Sequence, residues 1–471
     1  MARPARTSGA VRRTSKAGEE VMPARVRRTR GHRAALRTAV PVVTLLLAAT
    51  ACGGTSAQVG AVGSTSATGS PTGLPTARGT QSTAPSSAGR TPADPPAAAR
   101  SQGSTLGDHQ STPRALPSAR AAQCVNDYYS GMTTAQRVGQ LFMGGVSAAH
   151  PDASQLRTLR DQHVGSVMLT GRSNAGTAAT RKLVDGIRAQ SDQVGGRRAG
   201  MVVATDQEGG QVQVLSGPGF SAMPDGLTQG GWSTATLRTR ASDWAKQLKA
   251  AGVDLNLAPI ADVVPASLGT RNRPIGYFHR EYGHTPAAVT SHSGAFAAGF
   301  AQSGVMTTLK HFPGLGQVLG NTDTTANVVD SVTTAKSASL EPFRAGIQAG
   351  SPFVMISSAV YTKIDAKHLA AFSPAVIGQL LRHDLNFKGV VISDDLGDAV
   401  AVRSFTPAQR AVDFIAAGGD MVLTIRPSIV PEMTRAVQSR MKQDASFRDK
   451  VDASVHRILD AKHKAGLLDC G

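Results

Sequence analysis

Between Gln140 and Thr424 the chain repeats one pattern eight times: a short apolar run, then a longer polar or amphipathic stretch. The runs are Gln140–Gly144, Ser166–Leu169, Met201–Thr205, Asp254–Pro259, Met306–Leu309, Phe353–Ser357, Val390–Ser393 and Met421–Thr424. Each has four to six residues, which suits a strand and is too short for a buried helix. The stretches between them carry helical spacing over Ala178–Gln190, Thr234–Ala251, Pro286–Ser303, Ser339–Ala349, Pro374–Asp384 and Pro407–Ala417, and Lys450–Lys464 follows the last run. Strands alternating with helices pair in parallel, because each crossover helix returns the chain to the same end of the sheet. Eight of them favour closure over an open doubly wound sheet. An open sheet calls for a glycine-rich phosphate turn after its first strand, and Gly144-Gly145 lacks the rest of that fingerprint. The fold class is therefore α/β, a (β/α)8 TIM-like barrel in one domain.

Charge at first points elsewhere. The 471 residues have a formal net charge of +18, a value that invites a nucleic-acid reading. Residues 1–51, however, hold eleven Lys and Arg against Glu19 and Glu20, a net +9 that is half of the excess. The rest is mildly basic. No Lys/Arg block interleaves with aromatic residues, as a nucleic-acid groove requires, so no nucleic-acid partner is expected.

That basic N-terminus reads as an export signal. Arginines run to Arg37, an apolar run follows over Ala39–Ala48, and Ala49-Thr50-Ala51 precede Cys52. A positive region, a short apolar region and small residues before a cut are the parts of a signal peptide. The apolar run falls short of the roughly 20 residues that span a bilayer. Residues 1–51 are read as the signal, with Met22 as an alternative start. Cys52 is read as the lipid-anchor cysteine, although Ala49 stands where the usual leucine of that motif would be. Residues 52–122 are rich in Gly, Ser, Thr, Ala and Pro, with almost no large apolar side chains, and are expected to form a disordered, lipid-anchored tether. Residues 123–471 are the folded domain. The protein is thus expected outside the cytoplasm, on the membrane or secreted. In that oxidising setting Cys124 and Cys470, at the two ends of the domain, are expected to pair as a disulfide.

Barrel enzymes carry their reactive groups at the C-terminal ends of the strands. Here the third run ends in Asp206-Gln207-Glu208, the fourth near Asp262, the fifth in Lys310-His311 and the seventh in Asp394-Asp395. Carboxylates and cations therefore gather on one rim. Asp395 is read as the cap of a following helix and Asp394 as a functional carboxylate. No metal-ligand cluster or cofactor motif stands out, and no cofactor is implied.

Six segments carry a family resemblance: Thr133–Phe142, Asp206-Gln-Glu-Gly-Gly210, Leu257–Val263, Lys310-His-Phe-Pro-Gly314, Gly389–Leu396 and Ala417-Gly-Gly-Asp-Met421. Together, and in this order, they resemble glycoside hydrolase family 3, above all its single-domain bacterial exo-β-N-acetylglucosaminidases. The resemblance implies a retaining hydrolase of amino-sugar glycans such as peptidoglycan fragments or chitin-type oligosaccharides. It casts Asp394 as nucleophile, and Asp206, Lys310 and His311 as residues that hold sugar hydroxyls. Arg280 matches a further sugar-binding arginine through a two-residue insertion, with Arg273 as the alternative.

Two departures stand out. Asp323, in Gly320-Asn321-Thr322-Asp323, occupies the place of the hexosaminidase branch's acid/base histidine, and Asn321 the place of its aspartate partner. Asp323 is therefore the candidate acid/base, against a simple polar turn. Gln211 and Val214 stand where the family usually carries arginines, the second of which helps to bind sugar. The alternatives to a hexosaminidase are a β-glucosidase or β-xylosidase of the same family, and a non-catalytic wall-binding lipoprotein with a degenerate barrel.

Overall fold

The computed structural model describes residues 117–470. The expected signal peptide, Cys52 and most of the expected tether lie outside the described residues. Eight parallel strands form the expected barrel: β1 (Phe142–Ser147), β2 (Ser166–Thr170), β3 (Val202–Thr205), β4 (Leu255–Asn256), β5 (Met306–Phe312), β6 (Phe353–Ile356), β7 (Val390–Ser393) and β8 (Val422–Thr424). Each strand pairs with its neighbour in sequence from β1 to β7, and β8 pairs with β1. A bridge between Ile392 and Met421, with Ser393 N–H donating to the Met421 carbonyl at 3.0 Å, closes the ring between β7 and β8.

The strand residues are buried on both faces, towards the lumen and towards the helices. This is why the runs in the sequence are continuously apolar and do not alternate. Two bounds moved. The first strand starts at Phe142 because Gln140 ends the preceding helix, Thr134–Gln140. The fourth keeps only Leu255–Asn256 of its expected span, since Pro259 has no N–H for the ladder; the chain rejoins β5 at an Ile260–Lys310 bridge.

One boundary is corrected. The expected tether reached residue 122, but a helix runs over Pro117–Gly131. Its first half is rich in alanine, the best helix former, with proline at its start. It is pinned to the domain by Tyr128, fully buried, whose hydroxyl donates to the Arg198 carbonyl and accepts from Asp469 N–H, both at 3.0 Å. Cys124 and Cys470 form the expected disulfide, with Cα atoms 5.6 Å apart. Helices Ala153–Asp161 and Val430–Gln443 were also not read from the sequence.

Charged residues at the N-terminal ends of the strands brace the frame. Asp254, before β4, accepts the Val203 N–H and pairs with Arg188 at 2.7 Å. Asp420, before β8, accepts the Val391 N–H and pairs with Arg382 and Arg457. Lys462, on the last helix (Ala445–Lys464), is fully buried and donates to Gln140 Oε1 at 2.6 Å. The opposite rim carries a different set of charges.

Candidate active site

At the C-terminal mouth, loops from several strands enclose a cavity of about 430 Å³, within the range of small-ligand pockets. Asp206, Arg280, Lys310, His311, Asp323 and Asp394, all the expected site residues, line it. Lys310 and His311 belong to the last turn of β5 itself, so a rigid strand fixes their backbone. The Lys310 ammonium is buried and meets Asp206 Oδ1 at 2.6 Å and Glu208 Oε1 at 2.7 Å.

Glu208 is a residue to which the sequence reading gave no role. It is buried beneath the cavity wall and accepts from Arg280 Nε and NH2, both at 2.8 Å, in a two-pronged pair. Arg280 also donates from NH1 to the Pro274 carbonyl at 2.8 Å. Burial pushes the Glu208 carboxyl up, but Arg280 and then Lys310 outweigh burial and hold it at about 2. Burial likewise presses on the Lys310 ammonium, and Asp206 and Glu208 more than offset it, so Lys310 is raised and stays charged. Glu208 thus fixes two cations against the cavity, and Asp206 retains surface facing it. Arg273 takes a different position: it stacks on exposed Tyr277, 4.0 Å from the ring centre. Of these two arginines, Arg280 reaches the cavity.

Asp262 is the second buried organiser. It accepts from His311 N at 3.1 Å and Leu315 N at 2.7 Å through one oxygen, and contacts His311 Nδ1 at 2.8 Å through the other. A carboxylate on Nδ1 fixes the proton there and leaves Nε2 as the ring nitrogen available to a ligand. Sequence offered only one signal for these two acids, their place just after strands three and four.

Asp394 follows β7. Its N–H donates to the Ile356 carbonyl at 3.0 Å and its Oδ1 accepts from Asp395 N at 2.8 Å, while its second oxygen has no hydrogen-bond partner among the described residues. Asp395 does not cap a helix as expected. Its carboxylate accepts from Gly397 N, Asp398 N and Ile425 N, at 2.8 to 2.9 Å. It thereby folds the loop after β7 into a turn and ties it to the loop after β8. Asp323 arrives on the loop after β5. Asn321 Oδ1 accepts the Asp323 N–H at 2.9 Å, which builds the polar turn. The carbonyls of Thr322 and Asp323 accept from Ala401 and Val400, which docks this turn beside the Asp394 loop. Asp323 keeps surface at the open mouth while protein encloses its sides. Burial, and next the negative charge of Asp394, raise its carboxyl above the ordinary range. One carboxylate, with an open oxygen, follows strand seven, and a second of raised pKa shares its cavity from a loop.

The family model for the glycosyl hydrolase family 3 N-terminal domain matches residues 133–461. The chain belongs to glycosyl hydrolase family 3. Its site is that of a glycosidase, with a carbohydrate as substrate. A β-hexosaminidase of Xanthomonas axonopodis pv. citri is 33% identical over 311 residues, which are 64% of this chain and 89% of that protein. The crystal structure of a β-N-acetylhexosaminidase from Beutenbergia cavernae superposes with a TM-score of 0.69 at 49% identity, covering 70% of this chain and 99% of that one. A family 3 β-N-acetylglucosaminidase from Paenibacillus gives a TM-score of 0.62 at 28% identity, covering 71% of this chain and 63% of that one.

Proposed function

We propose that this protein is a retaining β-N-acetylhexosaminidase that removes terminal amino-sugar residues from peptidoglycan fragments or chitin-type oligosaccharides. The observation that carries the reading is the pairing of Asp394, free on one oxygen, with Asp323, raised in pKa, across one cavity. The names of the relatives support the amino-sugar class.

In the first step an Asp394 oxygen bonds to the anomeric carbon as the glycosidic C–O bond breaks, and Asp323 gives its proton to the leaving oxygen. In the second step the Asp323 carboxylate takes a proton from water. The water oxygen bonds to the anomeric carbon, and Asp394 departs as a carboxylate. Asp206 accepts from sugar hydroxyls while Lys310 and the free nitrogen of His311 complete the grip. Arg280, with its fork occupied by Glu208, acts mainly by holding that carboxylate in place against Lys310.

The same reading sets the enzyme outside the cytoplasm, anchored by lipid on Cys52 and held off the membrane by the tether. The Cys124–Cys470 bond is at home in an oxidising compartment and supports this location.

Aryl β-glycosides of N-acetylglucosamine, glucose and xylose test the activity. The N-acetylglucosaminide should turn over fastest, and a fluorosugar analogue should label Asp394. Preference for the glucoside or xyloside would replace the substrate class. Labelling that survives in Asp394→Asn would remove this residue from the nucleophile role.

A further inference from the structure

Opposite the mouth, at the N-terminal ends of β7 and β8, a second cleft of about 400 Å³ opens. Arg382, Lys388, Lys450 and Arg457 line it, and Asp449 is the acid among its lining residues. Hydrolysis at the mouth uses none of them. Lys388 precedes β7, while Lys450, Ser454 and Arg457 come from the last helix, Ala445–Lys464. Their spacing of four and then three residues puts these three on one face of it. This helix closes the base of the barrel: Ser454 Oγ donates to Asp420 Oδ1 at 2.8 Å, before β8, and Lys462 reaches Gln140, before β1.

Charge in the cleft does not balance. Two guanidiniums share one buried carboxylate, for Arg457 NH1 donates to Asp420 Oδ1 at 2.8 Å and Arg382 NH2 donates to Oδ2. Burial presses the Arg382 guanidinium down, Asp420 opposes this only in part, and Arg457 adds to it. Lys450 donates to a neutral partner, the Ala416 carbonyl, and Lys388 is exposed. Neither lysine pairs with a carboxylate among the described residues. Four cations thus meet two carboxylates, Asp420 and Asp449, and an excess of positive charge faces the cleft. Arg457 spends one of its five donors on Asp420, and each lysine carries three. Several charge-assisted donors converging on one hollow suit a phosphate, whose oxygens accept from many partners at once.

Position selects the source of that phosphate. Helix Pro117–Gly131 lies along the same last helix, with Tyr129 stacked on His456 at 4.2 Å between ring centres. The segment that carries Cys52 therefore feeds into the domain at its base and not at its mouth. With Cys52 acylated, a lipid surface is tethered on this side. We propose that the basal cleft takes the phosphate of an anionic lipid headgroup, so that the barrel docks base-down with its mouth turned towards the glycan. This rests on the location proposed above and refines it.

The full chain carrying Cys52→Ser, in which no acyl chain contributes, tests it by flotation with vesicles of phosphatidylcholine, with and without phosphatidylglycerol. The basic residues 1–51 are common to every variant and cancel in the ratios. Binding should require phosphatidylglycerol. Each basic residue at such a surface is worth roughly fivefold in binding, so Lys388→Gln with Lys450→Gln should lose about twenty-fivefold. Asp449→Asn should tighten binding. Lys182→Gln with Lys336→Gln, the same charge change at exposed positions outside the cleft, should lose less than about twofold. Turnover of an aryl N-acetylglucosaminide should be the same in all variants, which shows the fold and mouth intact. Equal losses in the two double variants would reduce the effect to net charge and overturn the proposal, as would binding indifferent to phosphatidylglycerol. A loss confined to soluble poly(glycerol phosphate), with vesicle binding kept, would replace the lipid by a phosphate polymer and overturn it too. The mass of the exported natural chain reports the anchor separately. An unmodified Cys52 would overturn the location reading, an outcome distinct from any vesicle result.

Discussion

Replacing Glu208 by Gln removes one negative charge from a buried cluster in which two cations depend on it. The amide cannot answer both prongs of Arg280 and the Lys310 ammonium, so it leaves charge uncompensated away from water. The magnitude follows from the acid itself. An unperturbed Glu titrates at 4.5, and Glu208 is held at about 2. That depression corresponds to about 3 kcal/mol of stability at neutral pH. Breaking a buried pair by removing one partner costs about 3–5 kcal/mol, which agrees.

The sign gives a second handle. A carboxyl whose folded pKa is depressed contributes its full stability above the unfolded value, and that contribution is lost as pH falls from 4.5 through about 2. Glu208→Gln carries no such titration. The gap in unfolding free energy between natural protein and variant should therefore be about 3 kcal/mol at pH 7 and less than half of that near pH 3. Urea unfolding with the disulfide intact measures both values. A gap under about 1 kcal/mol at pH 7, or one that does not shrink in acid, would refute the account of Glu208 as the charge that holds Arg280 and Lys310.

Other expectations follow from single residues. Asp323→Ala should lose most activity on substrates with poor leaving groups but little of the first step on dinitrophenyl glycosides, and azide should restore turnover; equal losses without rescue would make Asp323 a turn residue. Because burial and Asp394 raise Asp323, the alkaline limb of kcat/KM for poor leaving groups should lie above the usual carboxylate range and vanish in Asp323→Ala. Lys462 is pressed down by burial to about 7, so the folded state resists a proton that the unfolded chain holds up to about 10.5. Its penalty is full below pH 7 and fades towards pH 10.5; Lys462→Met should therefore raise Tm at pH 7, and an equal or greater gain at pH 10 would contradict this. The Cys124–Cys470 bond closes a loop of 346 residues, a restraint worth roughly 5–6 kcal/mol at most in the chain-entropy model. Cys470→Ser should lower Tm sharply, and an unchanged Tm would assign the bond no structural part.

What could be read from sequence followed the physics of each element. Strands buried on both faces leave continuous apolar runs, so all eight barrel strands were visible, β7 to its last residue. Helices with a proline start and a clear apolar face, such as Pro407–Ala417, were equally plain. The helix Pro117–Gly131 was not, because its first half looks like the tether before it and its apolar half makes sense only against Tyr128's partners at the far end of the chain. The site divides in the same way. Residues immediately after strands, Asp206, Lys310, His311 and Asp394, are betrayed by position alone. Glu208 and Asp262 share that signal, but their work lies in contacts with Arg280, 72 residues on, and with His311, 49 residues on, which no local pattern encodes. Asp395 misled for a related reason. An acid after a strand suggests a helix cap, yet the N–H groups it accepts include Ile425, 30 residues away. The two departures from the family pattern fall on loops at the cavity mouth. At the first, the turn built by Asn321 carries Asp323, an acid whose carboxyl is raised by burial and by the charge of Asp394. An acid of raised pKa set across one cavity from the carboxylate that follows β7 is what retaining hydrolysis requires, and this weighs against the wall-binding alternative.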